Sequence, residues 1–129
     1  MIRRCIAVLA VLLLALPAVA GANPLAGTWR LAADGQTVEI ELSADGRFAR
    51  RDIGPDGRAT TVTGHWTLAD QAPWLRLVIE DWSPRQACGL TGCAEIRMLP
   101  GETYRYALRG GDTLLLEDTG GRLAFRRAG

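Results

Sequence analysis

The chain contains no lysine, a single histidine, two phenylalanines, two methionines and three cysteines. Each scarcity excludes something. With one histidine, a base-activated nucleophile has one candidate base. His65 lies between Thr63 and Thr67 on the polar side of an alternating run, away from any apolar surface. The same scarcity argues against a zinc site, because no second cysteine pair joins Cys88 and Cys93. Carboxylates do not substitute. Glu39 and Glu41 share the polar side of one run, while Glu80 and Asp81 are adjacent and point to opposite faces of a strand. These absences argue against an enzyme and against a metal or other cofactor.

Without lysine, all basic charge rests on arginine. Removing residues 1–20 leaves 13 arginines against 14 acidic side chains, net −1, with no basic stripe. Nucleic acid is therefore not an expected partner. Long apolar runs are also missing, except at the N-terminus. There Arg3 and Arg4 precede "IAVLAVLLLAL", and Ala18 and Ala20 occupy the two positions that define cleavage. That is the layout of a secretory signal peptide. A retained membrane helix needs about 20 apolar residues, more than this run comfortably supplies. Cys5 sits before the apolar run and not at the cut, so no lipoprotein anchor is indicated. Cleavage after Ala20 or after Ala22 both fit. The expected organisation is a signal peptide at 1–20 and one domain at 21–129, periplasmic or secreted, with no stable membrane span after processing.

No segment after residue 20 carries a helical stripe. The apolar residues instead alternate. Leu25, Gly27, Trp29 and Leu31 form one set, and Val38, Ile40 and Leu42 another. Val62, Gly64, Trp66 and Leu68 follow, then Leu75, Leu77 and Ile79, Tyr104, Tyr106 and Leu108, Leu114 and Leu116, and Leu123 and Phe125. Period two marks half-buried strands. Glycine-bearing turns at Asp34, Asp45, Asp56, Gly110 and Gly120 separate them, as in an antiparallel meander.

One pattern occurs twice. Gly27, Trp29 and Leu31 reappear 37 residues later as Gly64, Trp66 and Leu68, and Val38, Ile40 and Leu42 reappear as Leu75, Leu77 and Ile79. A looser third copy runs through Tyr106, Leu108, Leu114 and Leu116. Hairpins with one apolar face hide it by closing on themselves. The expected fold is all-β, an antiparallel up-and-down barrel of about eight strands, which also removes exposed edges. Glycine before each tryptophan suits a bend at a barrel corner. Trp29 and Trp66 then either plug one end or line a cavity.

"LAGTWRL" resembles the Gly-x-Trp signature of the lipocalin-like (calycin) barrels, where that tryptophan closes the barrel base. Avidin-like barrels begin with a similar Gly-Thr-Trp. Small exported bacterial protease inhibitors share the barrel, a disulfide and a comparable length. The resemblance implies an exported, non-catalytic barrel that binds a small apolar or amphipathic molecule. On that reading Trp29 and Trp66 form the floor, and Phe48, Tyr104 and Tyr106 the walls.

Arg50 follows Phe48 by two and shares its face. An inward arginine needs a partner, either Asp52 or an acidic ligand such as a fatty-acid carboxylate; a frayed strand end would leave it in water. Arg127, two residues after Phe125 near the C-terminus, raises the same question. Cys88 and Cys93 form an even pair in an exported domain and read as a disulfide worth about 2 kcal/mol. They lie in the longest irregular stretch, Asp81 to Glu102. A second function follows from it: a protein-binding module, such as an inhibitor of an exported hydrolase or protease, acting through the 82–100 loop.

Overall fold

The computed structural model describes residues 23–128, and the expected signal segment at 1–20 lies outside them. Ten strands follow one another: β1 (Gly27–Ala33), β2 (Gln36–Leu42), β3 (Arg47–Ile53), β4 (Ala59–Leu68), β5 (Trp74–Ser83), β6 (Gln86–Gly89), β7 (Gly92–Glu95), β8 (Gly101–Arg109), β9 (Thr113–Asp118) and β10 (Gly121–Arg127). Eight of them close a barrel in the order β1-β10-β9-β8-β5-β4-β3-β2, all neighbours antiparallel. β6 and β7 form a separate hairpin between β5 and β8.

Alternation carries the inner face of each strand. Trp29, Ile40, Leu42, Phe48, Val62, Trp66, Leu75, Leu77, Leu114, Leu116 and Phe125 are all buried inside. A large apolar side chain buried in this way contributes about 1.5–3 kcal/mol. Any one of them therefore matches the about 2 kcal/mol of a short-loop disulfide. The barrel core, not the hairpin, holds the fold.

The repeated pattern is a repeated register. Gly27 faces Leu42, Trp29 faces Ile40 and Leu31 faces Val38 across β1 and β2. Gly64 faces Ile79, Trp66 faces Leu77 and Leu68 faces Leu75 across β4 and β5. The two hairpins point in opposite directions, yet both indoles reach the same end. Trp29 Nε1 donates to the Leu25 carbonyl at 2.9 Å, and Trp66 Nε1 to the Ser43 carbonyl at 2.8 Å. These carbonyls belong to the N-terminal segment and the β2–β3 turn, so this end is sealed. The opposite end, where the β1–β2, β3–β4 and β9–β10 turns lie, is the mouth.

The two glycines serve different needs. Gly27 has φ +139°, and a Cβ there would meet Arg127 Nη1 at 2.5 Å. Gly64 sits where the β4–β5 register shifts, and a Cβ would fall 1.8 Å from the Val78 carbonyl oxygen. The shift is a β-bulge in β5: Gly64 faces Ile79 while Thr63 faces Asp81. Glu80 is the extra residue, so the inward set changes from odd to even positions. Trp82, opposite Val62, thereby packs on the core.

Two expectations change. Asp81 to Glu102 is mostly regular, since β5 runs to Ser83, β6–β7 spans much of the remainder and β8 begins at Gly101. The bulge breaks period two at Glu80 and hides the strand end in the sequence. Arg127 is not frayed. Its guanidinium lies 4.2 Å over the Trp29 ring and donates to the carbonyls of Gly111, Ala26 and Pro24 at 2.9–3.0 Å. It ties the 24–26 segment and the end of β10 to the β8–β9 turn.

Replacing Gly64 by alanine forces backbone apart in a packed core, where overpacking typically costs 1–3 kcal/mol. Gly64→Ala is expected to lower the unfolding free energy by about 3 kcal/mol or more. Gly57→Ala, with open space around it, is expected to cost about 1 kcal/mol through its positive φ. Urea denaturation compares the two directly.

Candidate functional site at the barrel mouth

The lumen is filled at one end and polar toward the other. Among the predicted binding residues, Trp29, Phe48 and Trp66 lie in the filled half, at 0%, 3% and 7% exposure. Phe48, expected in a ligand wall, lies against Gly64, whose missing side chain makes room for its ring. Tyr106 is half-buried and packs on the core. Arg50 and Tyr104 sit toward the mouth, where Glu102 joins them.

Period two turns Phe48, Arg50 and Asp52 of β3 to the same side. The arginine side chain is 14% exposed. Its Nη1 donates to Glu102 Oε2 at 3.0 Å, and Tyr104 Oη donates to the same oxygen at 2.5 Å. Arg50 Nε lies 3.4 Å from Asp52 Oδ1. Of the partners weighed from the sequence, Asp52 is therefore present, and Glu102 is added from β8. Glu102 faces Leu77 across β5 and β8. Glu102 shares the parity of Tyr104 and Tyr106, so the same alternation turns it inward, but it closes the stretch read as irregular and the visible strand pattern begins at Tyr104.

The cluster carries strain of solvation. Arg50 Nε and Asp52 Oδ1 are both buried without a hydrogen-bond partner, although they lie close enough to pair as charges. A buried polar group left in this state costs about 1–3 kcal/mol. Burial raises the Asp52 carboxyl above its ordinary 3.8; Arg50 opposes the rise and Glu102 adds to it. Burial, and then the hydrogen bond to Glu102, hold the Tyr104 phenol above its ordinary 10.0. Asp118 adds to the same rise.

Two recesses open at this end. One, about 330 Å³, is lined by Tyr104, Leu116, Asp118, Leu123 and the Gly120–Gly121 turn. The other, also about 330 Å³, is lined by Val38, Asp52, Gly54 and Thr60 among others. Each combines apolar wall, one carboxylate and one arginine, Asp118 with Arg122 in the first and Asp52 with Arg58 in the second.

Comparison with solved structures places this architecture. A lipocalin-like protein from Bacteroides uniformis superposes with a TM-score of 0.56 at 18% identity, over 82% of this chain and 100% of that one. The fold is lipocalin-like. A lipocalin-like protein from Bacteroides thetaiotaomicron gives a TM-score of 0.49 at 16% identity, over 84% and 100% of the two chains. An uncharacterized protein from Bacteroides eggerthii gives 0.49 at 12%, over 80% and 98%. No protein-family model matches the chain, and no curated protein sequence does.

Within this lipocalin-like barrel, the Cys88–Cys93 disulfide is formed, across directly opposed positions of β6 and β7. The hairpin rises from the mouth end of β5. Its base is pinned where Trp82 Nε1 donates to the Ile96 carbonyl at 2.9 Å and Arg85 stacks 3.8 Å over the Trp82 ring. All of its strand residues are exposed, as is Leu90 at the tip. Trp82 is thus a pivot that the sequence pattern concealed. His65 pairs with Glu80 on the outer face. Among the described residues, no group of histidine, cysteine and carboxylate side chains is placed to hold a metal ion, and no helix is long and apolar enough to cross a membrane.

The raised Asp52 carboxyl sets a pH dependence. A folded-state pKa above the unfolded value gives stability that is present below about 3.8 and lost as pH rises through the elevated value toward neutrality. Asp52→Asn removes that loss. The stability of the variant relative to the parent is therefore expected to increase between pH 4 and pH 7, as measured by chemical denaturation at each pH. A flat difference would exclude a strained carboxylate here.

Proposed function

We propose that the chain is an exported lipocalin-like barrel that binds a small amphipathic molecule at its mouth, with the apolar part against Tyr104, Leu116 and Leu123. The observation that carries this reading is the charge balance of the mouth. Asp52, Glu102 and Asp118 outnumber Arg50 there, since Arg58 and Arg122 at the rims of the two recesses are held by Asp56 and Glu117, and Asp52 Oδ1 is buried without a hydrogen-bond partner. Arg50 is already engaged by two carboxylates of its own chain, so a fatty-acid carboxylate finds no free cation there. A head group that donates hydrogen bonds or carries positive charge suits the site better. Trp29, Phe48 and Trp66 act beneath it as a rigid floor, and Tyr106 as its lower wall. Rigid sites of this kind bind with little ordering cost.

Calorimetric titration with dodecylamine and with dodecanoate tests the reading. The amine is expected to bind at least about tenfold more tightly, the equivalent of 1.4 kcal/mol. Glu102→Gln is expected to narrow that preference without unfolding the barrel. Equal affinity, a preference for dodecanoate, or no binding of either would reject the proposal.

The β6–β7 hairpin favours a second reading, as an inhibitor of an exported hydrolase or protease. It protrudes from the mouth, is clamped by the disulfide, and presents Leu90 fully exposed at its tip. A shaped apolar tip suits insertion into a cleft. In inhibition assays against secreted serine and metalloproteases, a Cys88→Ser, Cys93→Ser double variant is expected to lose inhibition while keeping the parent's melting transition. Undiminished inhibition would remove the hairpin from consideration.

A further inference from the structure

Alternation that fills the barrel also sets its outer wall, and on β8, β9 and β10 the outward residues form a lattice. Arg105 faces Glu117, which faces Arg122; Arg109 faces Thr113, which faces Arg126. Between these two rows, Ala107 faces Leu115, which faces Ala124. Four arginines thus stand at the corners of a rectangle with Leu115 at its centre. With about 4.8 Å between strands and about 3.3 Å per residue, it measures about 10 by 13 Å. The sequence shows no basic run because the four come from two different strands and meet only through register.

The charge on this wall is in excess. Arg122 holds Glu117 at 3.1 Å, and Arg105, Arg109 and Arg126 have no ion-pair partner among the described residues. The surroundings do not cancel it. Arg30, Arg76 and Arg127 border the lattice on one account, and Glu39, Asp70, Asp112 and Asp118 on the other. Of these, Arg30 is held by Glu39, and Arg76 donates to Thr103 at 3.1 Å. Seven arginines therefore meet five carboxylates on the wall, net +2, whereas the other six arginines of residues 23–128 meet nine carboxylates, net −3. A positive wall on an otherwise negative molecule attracts and orients an anion. The wall is also furrowed. Trp74 faces Arg105 from β5 and is 45% exposed. An open concavity of about 380 Å³ lies between Trp74, Arg105 and Glu117. A second of about 300 Å³ continues past Arg105 to Leu115, Arg109 and Arg122, and a third of about 450 Å³ lies beyond Ala124 and Arg126 toward Arg30.

We propose that this wall binds a linear acidic polysaccharide of the uronate class, its carboxylates held by Arg105, Arg109 and Arg126 and its ring faces lying against Leu115 and Trp74. A guanidinium fork suits a carboxylate, which can accept two parallel hydrogen bonds. The free guanidinium groups are separated by small apolar residues and by the Thr113 hydroxyl. That alternation suits a polymer whose charges are set apart by rings with an apolar face and hydroxyls, and suits less a polymer charged at every short step. Curvature argues against a membrane surface. From β8 to β10 the wall turns through two of eight strand steps, about a quarter of the barrel, which a flexible chain follows and a plane does not. An acidic peptide cannot add as a strand, because each barrel strand is paired on both sides. Single-stranded nucleic acid stacks its bases on successive aromatics, and this wall has one, Trp74. The proposal concerns the outside of the barrel and goes beyond the amphiphile reading of its mouth.

The test titrates the intact protein with polygalacturonate, and in parallel with neutral dextran, poly-L-glutamate, a single-stranded DNA oligonucleotide and phosphatidylglycerol vesicles. Polygalacturonate is expected to bind most tightly and to shift the Trp74 indole resonance in NMR spectra, leaving those of Trp29, Trp66 and Trp82 in place. Its affinity is expected to fall as salt rises, since exposed charges are screened over about 10 Å at 0.1 M. An Arg109→Ala, Arg126→Ala double variant is expected to bind about tenfold more weakly, the order of two exposed charge pairs, with the parent's melting temperature. An Arg47→Ala, Arg51→Ala double variant removes the same charge from the outer face of β3 and is expected to bind as the parent does. Polygalacturonate bound no better than dextran, tighter binding of poly-L-glutamate, DNA or vesicles, full affinity in the Arg109 and Arg126 variant, or equal losses in the two variants would each overturn the proposal.

Discussion

Everything in this molecule depends on closing the seam between its first and last barrel strands. That seam is short, with Trp29 facing Arg127 and Arg30 facing Arg126. Unclosed, the sheet would expose the inner face of every strand along two edges. Arg127 makes the closure one-sided by lying over the Trp29 indole while its nitrogens hold the N-terminal segment and the β8–β9 turn. Leu25 and Phe125 are buried at the same end, and a side chain at Gly27 would displace the guanidinium and strain a backbone held at φ +139°. One stacked cation and one indole thus convert a meander into a tube.

A tube plugged at one end concentrates its polar compromises at the other. Apart from Arg127, which caps the Trp29 indole from outside, the inward positions of the lower half are apolar, so the inner face turns polar where strands approach the mouth. There Arg50, Asp52, Glu102 and Tyr104 share one hydrogen-bonded and ion-paired group. An apolar set of the same volume would give the barrel a simpler interior. Buried ion pairs seldom improve stability over such a set, since desolvation offsets their attraction. That a stable scaffold carries this cluster beside two recesses is the reason the mouth, and not the floor, is the better place to look for a ligand.

The outer surface shows the same logic in reverse. Three indoles are spent inside or at the hairpin base, each with its N–H satisfied, and the fourth stands on the outside beside a guanidinium without a partner. Position on the pleat decides this difference. Trp74 lies one residue before Leu75, so the burial of Leu75 turns Trp74 outward.

Much of the architecture was legible in the chain itself. The 37-residue echo is two hairpins of identical register, because the pairing of a β-hairpin is set by spacing along one stretch of chain. The Arg50–Asp52 pair was legible for the same reason, being two residues apart on one strand. The disulfide, six positions end to end, is also local. What no local pattern contained were the partners brought from afar: Glu102 beneath Arg50, Arg127 over Trp29, and Glu117 beside Arg105. Trp82 was hidden by a single extra residue at Glu80, which reverses the inward side of a strand and which hydrophobic alternation cannot anticipate. Sequence alone determined that alternate residues would face a common interior, since strand geometry is a property of neighbouring residues. Only the tertiary structure decided which charged groups meet across strands, because that depends on how far each strand slides past the next.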